Sequence, residues 1–495
     1  MDSEEAIPYP RVGRWEWFTA GVLALGLALS QPYLAYTLWA DIPLMGQLIS
    51  QGVVPYRDVY EDRAPGSFYL TALTFRLFGD SPAIARGQSQ VLVFFSALLL
   101  FGLTNCLWGR RAAWGALIFW AVWQPLFLGS LVHFEIFLLP LLLLTGRVLW
   151  QSAFGRGQLR LWNGLTGVLL AMLTLFKQNM VFAWLLAPLW RYGVGGGETR
   201  RERWGHVGLM ALGCALLMGG SLAYYGAVGG LQEYVYGNLI FELTIVPQER
   251  TEWPTYEEFA FLVRVFIWLF PALLLVGEAF RQRRQREVAA GTLMLGMGIV
   301  GAVPAYKFYD HFYLQAAVPW AGMAFGYVWS SLFGTSATLP VSQQRLRRGL
   351  LLGLLVMTLY PIPGLYRQKF HPDPADFPPE FYAESGAVTE ITSPLEPIYV
   401  FGLRPEIYYL SRRRPATRYT TLQHYHARIP GIQEEIIRSL EQVQPRIVVC
   451  YEDDRSPQGY ALRIYARQIL EYLRANYTEF ARPTERCALW RRRGT

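Results

Sequence analysis

Apolar residues in this chain come in long runs rather than in alternation. Stretches almost free of charge fall near 15–39, 86–108, 112–130, 131–150, 162–176, 179–190, 206–226, 259–280, 288–305, 312–333 and 348–366. About 20 apolar residues make one helical crossing of a bilayer, so the pattern predicts eleven membrane spans. After residue 366 the pattern changes. "HPDPADFPPEFY" is rich in Pro and reads as a linker over 367–384. Residues 385–495 alternate strand-like runs ("PIYVFGL", "RIVVCY", "RCALWRRR") with amphipathic helical ones ("GIQEEIIRSLEQV", "ALRIYARQILEYLRANY"). The expected architecture is a mainly α-helical polytopic membrane domain over 1–366, followed by a small extracytoplasmic α/β domain over 385–495.

Charge orients the spans. The net charge of +8 is almost all Arg, since Lys177, Lys307 and Lys369 are the only lysines. These cations lie between apolar segments, which points to a membrane and away from nucleic acid. One alternating set of connections carries 18 positive charges and the other six. The positive-inside rule then puts the N-terminus in the cytoplasm and residues 40–85 and the C-terminal domain outside. The first run, bounded by Trp15 and Trp39, reads as a retained signal anchor in a multi-pass plasma (inner) membrane protein. This parity requires the run from 161 to 190 to be two shortened helices that turn at Lys177 and Gln178. Broken helices at membrane depth line protein cavities. The four cysteines show no metal-ligand spacing; Cys450 and Cys487 lie in strand-like runs where a pairing is conceivable.

The outward connections hold the candidate chemistry. The first, 40–85, contains Asp41, Arg57, Asp58, Glu61, Asp62 and Arg63, plus two short amphipathic stretches, "LMGQLISQ" and "SFYLTALTFRLF", suited to the interface plane. His133 and Glu135 lie in the next tight turn, Lys177 and Gln178 in the broken pair, and Lys307, Asp310 and His311 in "YKFYDHFYL". Arg264 sits about one turn inside the outer end of its helix. Plain alternatives stand beside each: Arg57 with Asp58 as a surface ion pair, Lys177 and Arg264 as snorkelling cations, and the outer tyrosines as an aromatic belt.

The order of these motifs resembles the polytopic GT-C glycosyltransferases of the family 39-like group, relatives of the aminoarabinose transferase and the protein mannosyltransferases. The resemblance rests on an Asp after the first span, "GVVPYRDVYEDRAPGSFYLTALTFRLFG", a carboxylate between spans three and four, "FKQ", "HFYLQAAVPW" and "IYVFGLRPEIYYLSRRRPATRY". It implies an inverting transfer of a sugar from a polyprenyl-phosphate donor to a lipid, glycan or protein acceptor. It further implies Asp41 as the base or its support, Arg63 of "EDRAP" as the cation on the donor phosphate, and Glu135 at the second acidic position. Arg57, Asp62, Lys177, Gln178, Arg264, Lys307 and His311 are then substrate-binding candidates. A divalent cation is an open possibility, with Glu135, His133 and Asp62 as the available ligands. Two other functions fit the composition: a lipid or polysaccharide transporter or flippase, and a surface-polysaccharide polymerase or ligase.

Overall fold

The computed structural model describes residues 12–33, 38–128, 131–155, 158–194, 198–249, 253–305, 311–332, 341–370, 376–394, 396–456 and 459–494, with backbone alone at 311–312 and 341–347. Among these, seven helices are long and apolar enough to cross a membrane: Pro82–Trp108, Phe134–Phe154, Leu159–Phe176, Arg200–Ala227, Tyr256–Arg281, Gln285–Ala305 and Arg348–Lys369. The other four expected spans fall on shorter helices, Arg14–Ser30, Arg110–Trp123, Ala183–Val194 and Val318–Leu332. The chain divides into two compact units.

The first unit comprises Met1–Thr37, Arg86–Ser221 and Thr251–Ala375 and holds most of the apolar helices. Its tightest seam joins Arg110–Trp123 to Val318–Leu332. A side chain at Gly326 would put its Cβ 2.2 Å from the carbonyl oxygen of Ala112, so only glycine lets the two backbones meet. Without a hydrophobic drive between helices in lipid, such close packing is what holds them together. Phe119 stacks on Phe325 beside it at 5.0 Å. The expected break is present: one helix ends at Phe176, Lys177 is extended, and a 3-10 turn, Gln178–Phe182, leads into Ala183–Val194.

The second unit comprises Leu38–Ala85, Leu222–Arg250 and Asp376–Thr495. Both amphipathic stretches of the 40–85 connection are helices, Asp41–Ser50 and Gly66–Phe78, and they pack on each other. The first does not present one face to an interface as expected. Ile42 to Ile49 are all buried, since the helix packs on Gly66–Phe78, and the side chain of Gln47 donates to Asp80 at 3.1 Å.

The C-terminal part is α/β as expected. Its four strands, β1 (Tyr399–Phe401), β2 (Ile447–Cys450), β3 (Tyr477–Ala481) and β4 (Ala488–Arg492), lie in the order β1-β2-β4-β3. β1 and β2 run parallel, and β4 is antiparallel to both of its neighbours. The two parallel strands are buried throughout, which is why they read as continuous apolar runs. Helices Ile432–Val443 and Arg467–Asn476 cover one face through Ile436, Leu440, Ile469 and Leu473. A helix not foreseen, Pro379–Ile391, starts inside the Pro-rich stretch. Cys450 and Cys487 are buried and free, so the conceivable disulfide is not formed; each sulfur sits in the apolar interior of its strand neighbourhood.

Candidate functional site

Two clusters of ionisable residues stand out, one in each unit. In the second unit, Asp41 opens its helix, where the dipole of the N-terminus favours a carboxylate. Its carboxylate accepts from Trp39 Nε1 at 3.1 Å and from an Arg63 guanidinium N–H at 2.5 Å. Arg63 Nε also lies 3.8 Å from Asp62, and Asp62 accepts from His426 Nε2 at 2.9 Å. The result is a connected chain of side chains, Asp41–Arg63–Asp62–His426. Its members differ in exposure: Arg63 keeps 31% of its side chain exposed, while Asp62 and His426 keep 9% and 6%.

The loop that carries Arg63 is held rigidly. Tyr56 adopts a left-handed φ of 68°, costly for a bulky residue, and its ring is buried edge-on to Tyr225 and Tyr234, each at 5.2 Å. Its hydroxyl donates to the carbonyl of Arg63 at 2.6 Å, which fixes that turn of backbone. On the other side, the π-helical segment Tyr236–Ile240 brings Gly237 so close that a Cβ there would lie 2.3 Å from the carbonyl oxygen of Glu61.

Electrostatics separates the two neighbouring carboxyls. Burial is the largest influence on both and opposes ionisation. At Glu61 burial wins, with help from the charges of Asp62 and Asp41 against that of Arg63, and the carboxyl is held well above its usual range. At Asp62 the hydrogen bond and charge of His426, together with Arg63, outweigh burial and hold it below its usual range. The two neighbouring carboxyls are thus shifted in opposite directions.

In the first unit, Glu135 lies in the first turn of Phe134–Phe154 and is wholly buried. One carboxylate oxygen accepts from Lys177 Nζ and the other faces His133 Nδ1. The ring of Tyr313 lies 4.7 Å from Lys177 Nζ, a cation–π contact. Lys177 does not snorkel; the break in its helix turns it inward onto Glu135.

Of the candidates read from the sequence, Asp41, Asp62 and Arg63 meet in one cluster, and His133, Glu135 and Lys177 in the other. Gln178 opens the 3-10 turn next to Lys177. Arg57 forms an exposed pair with Asp58 at 2.7 Å and donates to the Val228 carbonyl, which braces the loop rather than joining the Asp41 cluster. Arg264 is half-buried within Tyr256–Phe266, and no hydrogen bond or ion pair joins it to Glu135 or Lys177. Lys307 lies outside the described residues, as does the side chain of His311.

The missed residues are His424 and His426. His424 Nε2 donates to Glu249 at 2.7 Å, and Arg428 stands 3.4 Å from the other oxygen of that carboxylate. Two of the six histidines of the chain occur as "HYH" at 424–426, which was the available signal.

Of the ligands expected for a metal, Glu135 is paired with Lys177 and His133, and Asp62 with His426 and Arg63. Among the described residues, no group of three or more His, Cys, Asp or Glu side chains gathers as a metal site.

Comparison with known proteins agrees with this picture. Residues 62–219 match the family model described as dolichyl-phosphate-mannose-protein mannosyltransferase. ArnT from Cupriavidus metallidurans, solved bound to undecaprenyl phosphate, aligns over 97% of this chain and 98% of its own, with a TM-score of 0.64 and 12% identity. The oligosaccharyltransferase AglB from Archaeoglobus fulgidus, solved with an inhibitory peptide and a dolichol-phosphate, aligns over 94% of this chain and 73% of its own, with a TM-score of 0.59 and 13% identity. The Archaeoglobus fulgidus oligosaccharyltransferase solved with Zn and sulfate aligns over 94% and 71%, with a TM-score of 0.56 and 14% identity. No curated protein matches. The resemblance to polytopic GT-C glycosyltransferases read from motif order therefore extends to the fold of nearly the whole chain.

Proposed function

We propose that the chain is an inverting glycosyltransferase that moves a sugar from a polyprenyl-phosphate donor to an acceptor hydroxyl at the outer face of the membrane. The observation that carries the reading is the 2.5 Å pair of Asp41 with Arg63. These are the two residues to which the family resemblance gives the base and the donor-phosphate cation, and they lie 22 residues apart in one connection. The lipid phosphates bound by ArnT and AglB support the donor class. The bias of 18 positive charges to six supports the outward orientation of this connection.

In a single displacement, Asp41 takes the proton of the acceptor hydroxyl and that oxygen bonds to the anomeric carbon. The bond from this carbon to the phosphate oxygen breaks, and the lipid phosphate leaves with the electron pair. Attack opposite the leaving group inverts the centre. A positioned base contributes about 100- to 10,000-fold. The guanidinium of Arg63 suits a phosphate because its planar fork matches two oxygens at once, and Asp62, 3.8 Å from its Nε, helps to orient it. Glu135 is assigned the second acidic position, where it holds Lys177.

The test is transfer of radiolabelled sugar from a panel of polyprenyl-phosphate sugars, in liposomes with cell-envelope extract as acceptor. Wild type should consume at least one donor, and Asp41→Asn should lower the rate about 100-fold or more. A well-folded wild type that consumes none, or an Asp41→Asn variant of full activity, overturns the assignment. Lipid translocation that survives Asp41→Asn would instead favour a transporter.

A further inference from the structure

Beside the Asp41–Arg63 pair, the second unit contains a cavity of about 470 Å³ that the mechanism above does not use. Its size falls within the roughly 300–1,000 Å³ of small-molecule sites. Three segments line it: the loop with Tyr60 and Glu61, the π-helical segment with Tyr236, and the stretch from Arg418 to Glu435. π-helical turns of this kind recur at functional sites.

The walls combine flat aromatic faces with carboxyl groups. The rings of Tyr60 and Tyr419 lie 5.0 Å apart, and Arg418 lies over both, at 5.8 and 5.3 Å. Arg418 also meets Glu435 at 2.7 Å, and the Tyr419 hydroxyl donates to that same carboxylate at 2.9 Å. Glu61, Glu233 and Glu435 all line the cavity, with Arg418 as its one lining cation, and that cation is already neutralised by Glu435. The Tyr60 hydroxyl is buried without a hydrogen-bond partner, an omission that ordinarily costs stability. Glu61, whose carboxyl burial pushes above its usual range, lines the same wall.

This combination selects a ligand class. Among the described lining residues the cation, Arg418, is already paired with Glu435 and so is not offered to a phosphate, and the cavity does not suit the head of the lipid donor. Aromatic faces pack against the C–H face of a ring, while carboxyls and an unpaired phenol exchange hydrogen bonds with hydroxyls. Both are properties of a neutral carbohydrate. We propose that this cavity is the acceptor subsite and that it binds the uncharged, hydroxyl-rich end of a glycan. The inference rests on the transferase reading and narrows its acceptor from lipid, glycan or protein to carbohydrate. Glu61 stands one residue from Asp62 and two from Arg63, the partner of Asp41, so the cavity shares its loop with the candidate site.

The experiment reads binding without donor, and so is independent of transfer. The full chain in nanodiscs is titrated with methyl glycosides of glucose, galactose, mannose and N-acetylglucosamine by saturation-transfer NMR, and with a Lys/Arg-rich peptide as the competing class. Wild type should bind at least one glycoside. Tyr60→Phe and Glu61→Gln, both close in shape to the original, should each weaken that binding tenfold or more, while Gly219→Ala, at a position with open space that does not line the cavity, keeps it. Absence of glycoside binding, binding indifferent to Tyr60→Phe and Glu61→Gln, or peptide binding that these two variants abolish each overturns the proposal. A chain that binds glycosides in this way yet transfers no sugar would remove the transferase reading and leave the subsite standing.

Discussion

His426 offers the sharpest test of how the site is held together. It touches no reacting atom, but its Nε2 donates to Asp62 at 2.9 Å, and the remaining cation on that carboxylate, Arg63, stands at 3.8 Å. In His426→Ala the buried carboxylate loses a charge-assisted bond worth about 1.5–3 kcal/mol. If that energy serves to hold Arg63 in place, kcat falls about 10- to 150-fold. The pH dependence separates this from mere loss of packing against Tyr60 and Phe241. In the wild type Asp62 lies below its usual range, so the stability it contributes is present above the unfolded value and lost only as pH falls through the still lower folded one. No Asp62 limb should then appear between pH 5 and 8. In His426→Ala burial is less opposed, the carboxyl moves upward, and an acid limb should enter that window. Gln places an amide N–H near the position of Nε2, so His426→Gln should recover much of the rate and remove the limb. The assay is kcat and donor KM from pH 5 to 8.5 for the three proteins. Equal losses in Ala and Gln, with an unchanged pH profile, would falsify the positioning role.

Three further outcomes follow from the same geometry. Glu406, buried in the helix Pro405–Ser411, is pushed up to about 8 from an ordinary value near 4.5, so its ionisation destabilises the fold as pH rises through that interval. Glu406→Gln should be neutral below pH 4.5 and stabilising by about 3–5 kcal/mol at pH 9, read from thermal midpoints at the two pH values; equal midpoints at pH 9 refute it. Lys177→Met should cost about 3–5 kcal/mol by leaving Glu135 buried beside His133 alone, whereas adding Glu135→Gln should restore most of the loss; the thermal midpoint in detergent checks both. Gly237→Ala should reduce transfer by displacing the Glu61 backbone, since the new Cβ cannot coexist with a carbonyl oxygen 2.3 Å away, while a control, Gly219→Ala, has open space and should be neutral.

How much of this was legible in the sequence depends on the distance over which each feature is encoded. The helix break at Lys177 was readable because "FKQ" interrupts an apolar run too long for one crossing. The two helices of the 40–85 connection were readable from local periodicity, but the burial of the first was not: Gln47 looks like a surface residue until Asp80 is folded against it. β3 escaped notice because its residues Thr478 to Phe480 are exposed and show no apolar alternation. The Asp41–Arg63 pairing could be expected only through the family resemblance, as nothing local joins residues 22 apart. The partner of Asp62 lies 364 residues away, beyond any pattern a single sequence displays.

The "HYH" tripeptide bears on what the C-terminal part of the chain contributes. His424 and His426 lie in one short turn, His424–Ala427, and successive residues of a helix are separated by about 100°. Positions two apart therefore point to nearly opposite sides. One histidine reaches Glu249, at the end of the 222–250 segment, and the other reaches Asp62 in the 40–85 connection. A single turn thus fastens both connections of its unit, with Tyr425 between the two contacts. Sliding this turn by one residue would leave Asp62 and Glu249 buried without either histidine. That cost ties the fold of the α/β region to the chain of contacts that runs through Asp62 and Arg63 to Asp41.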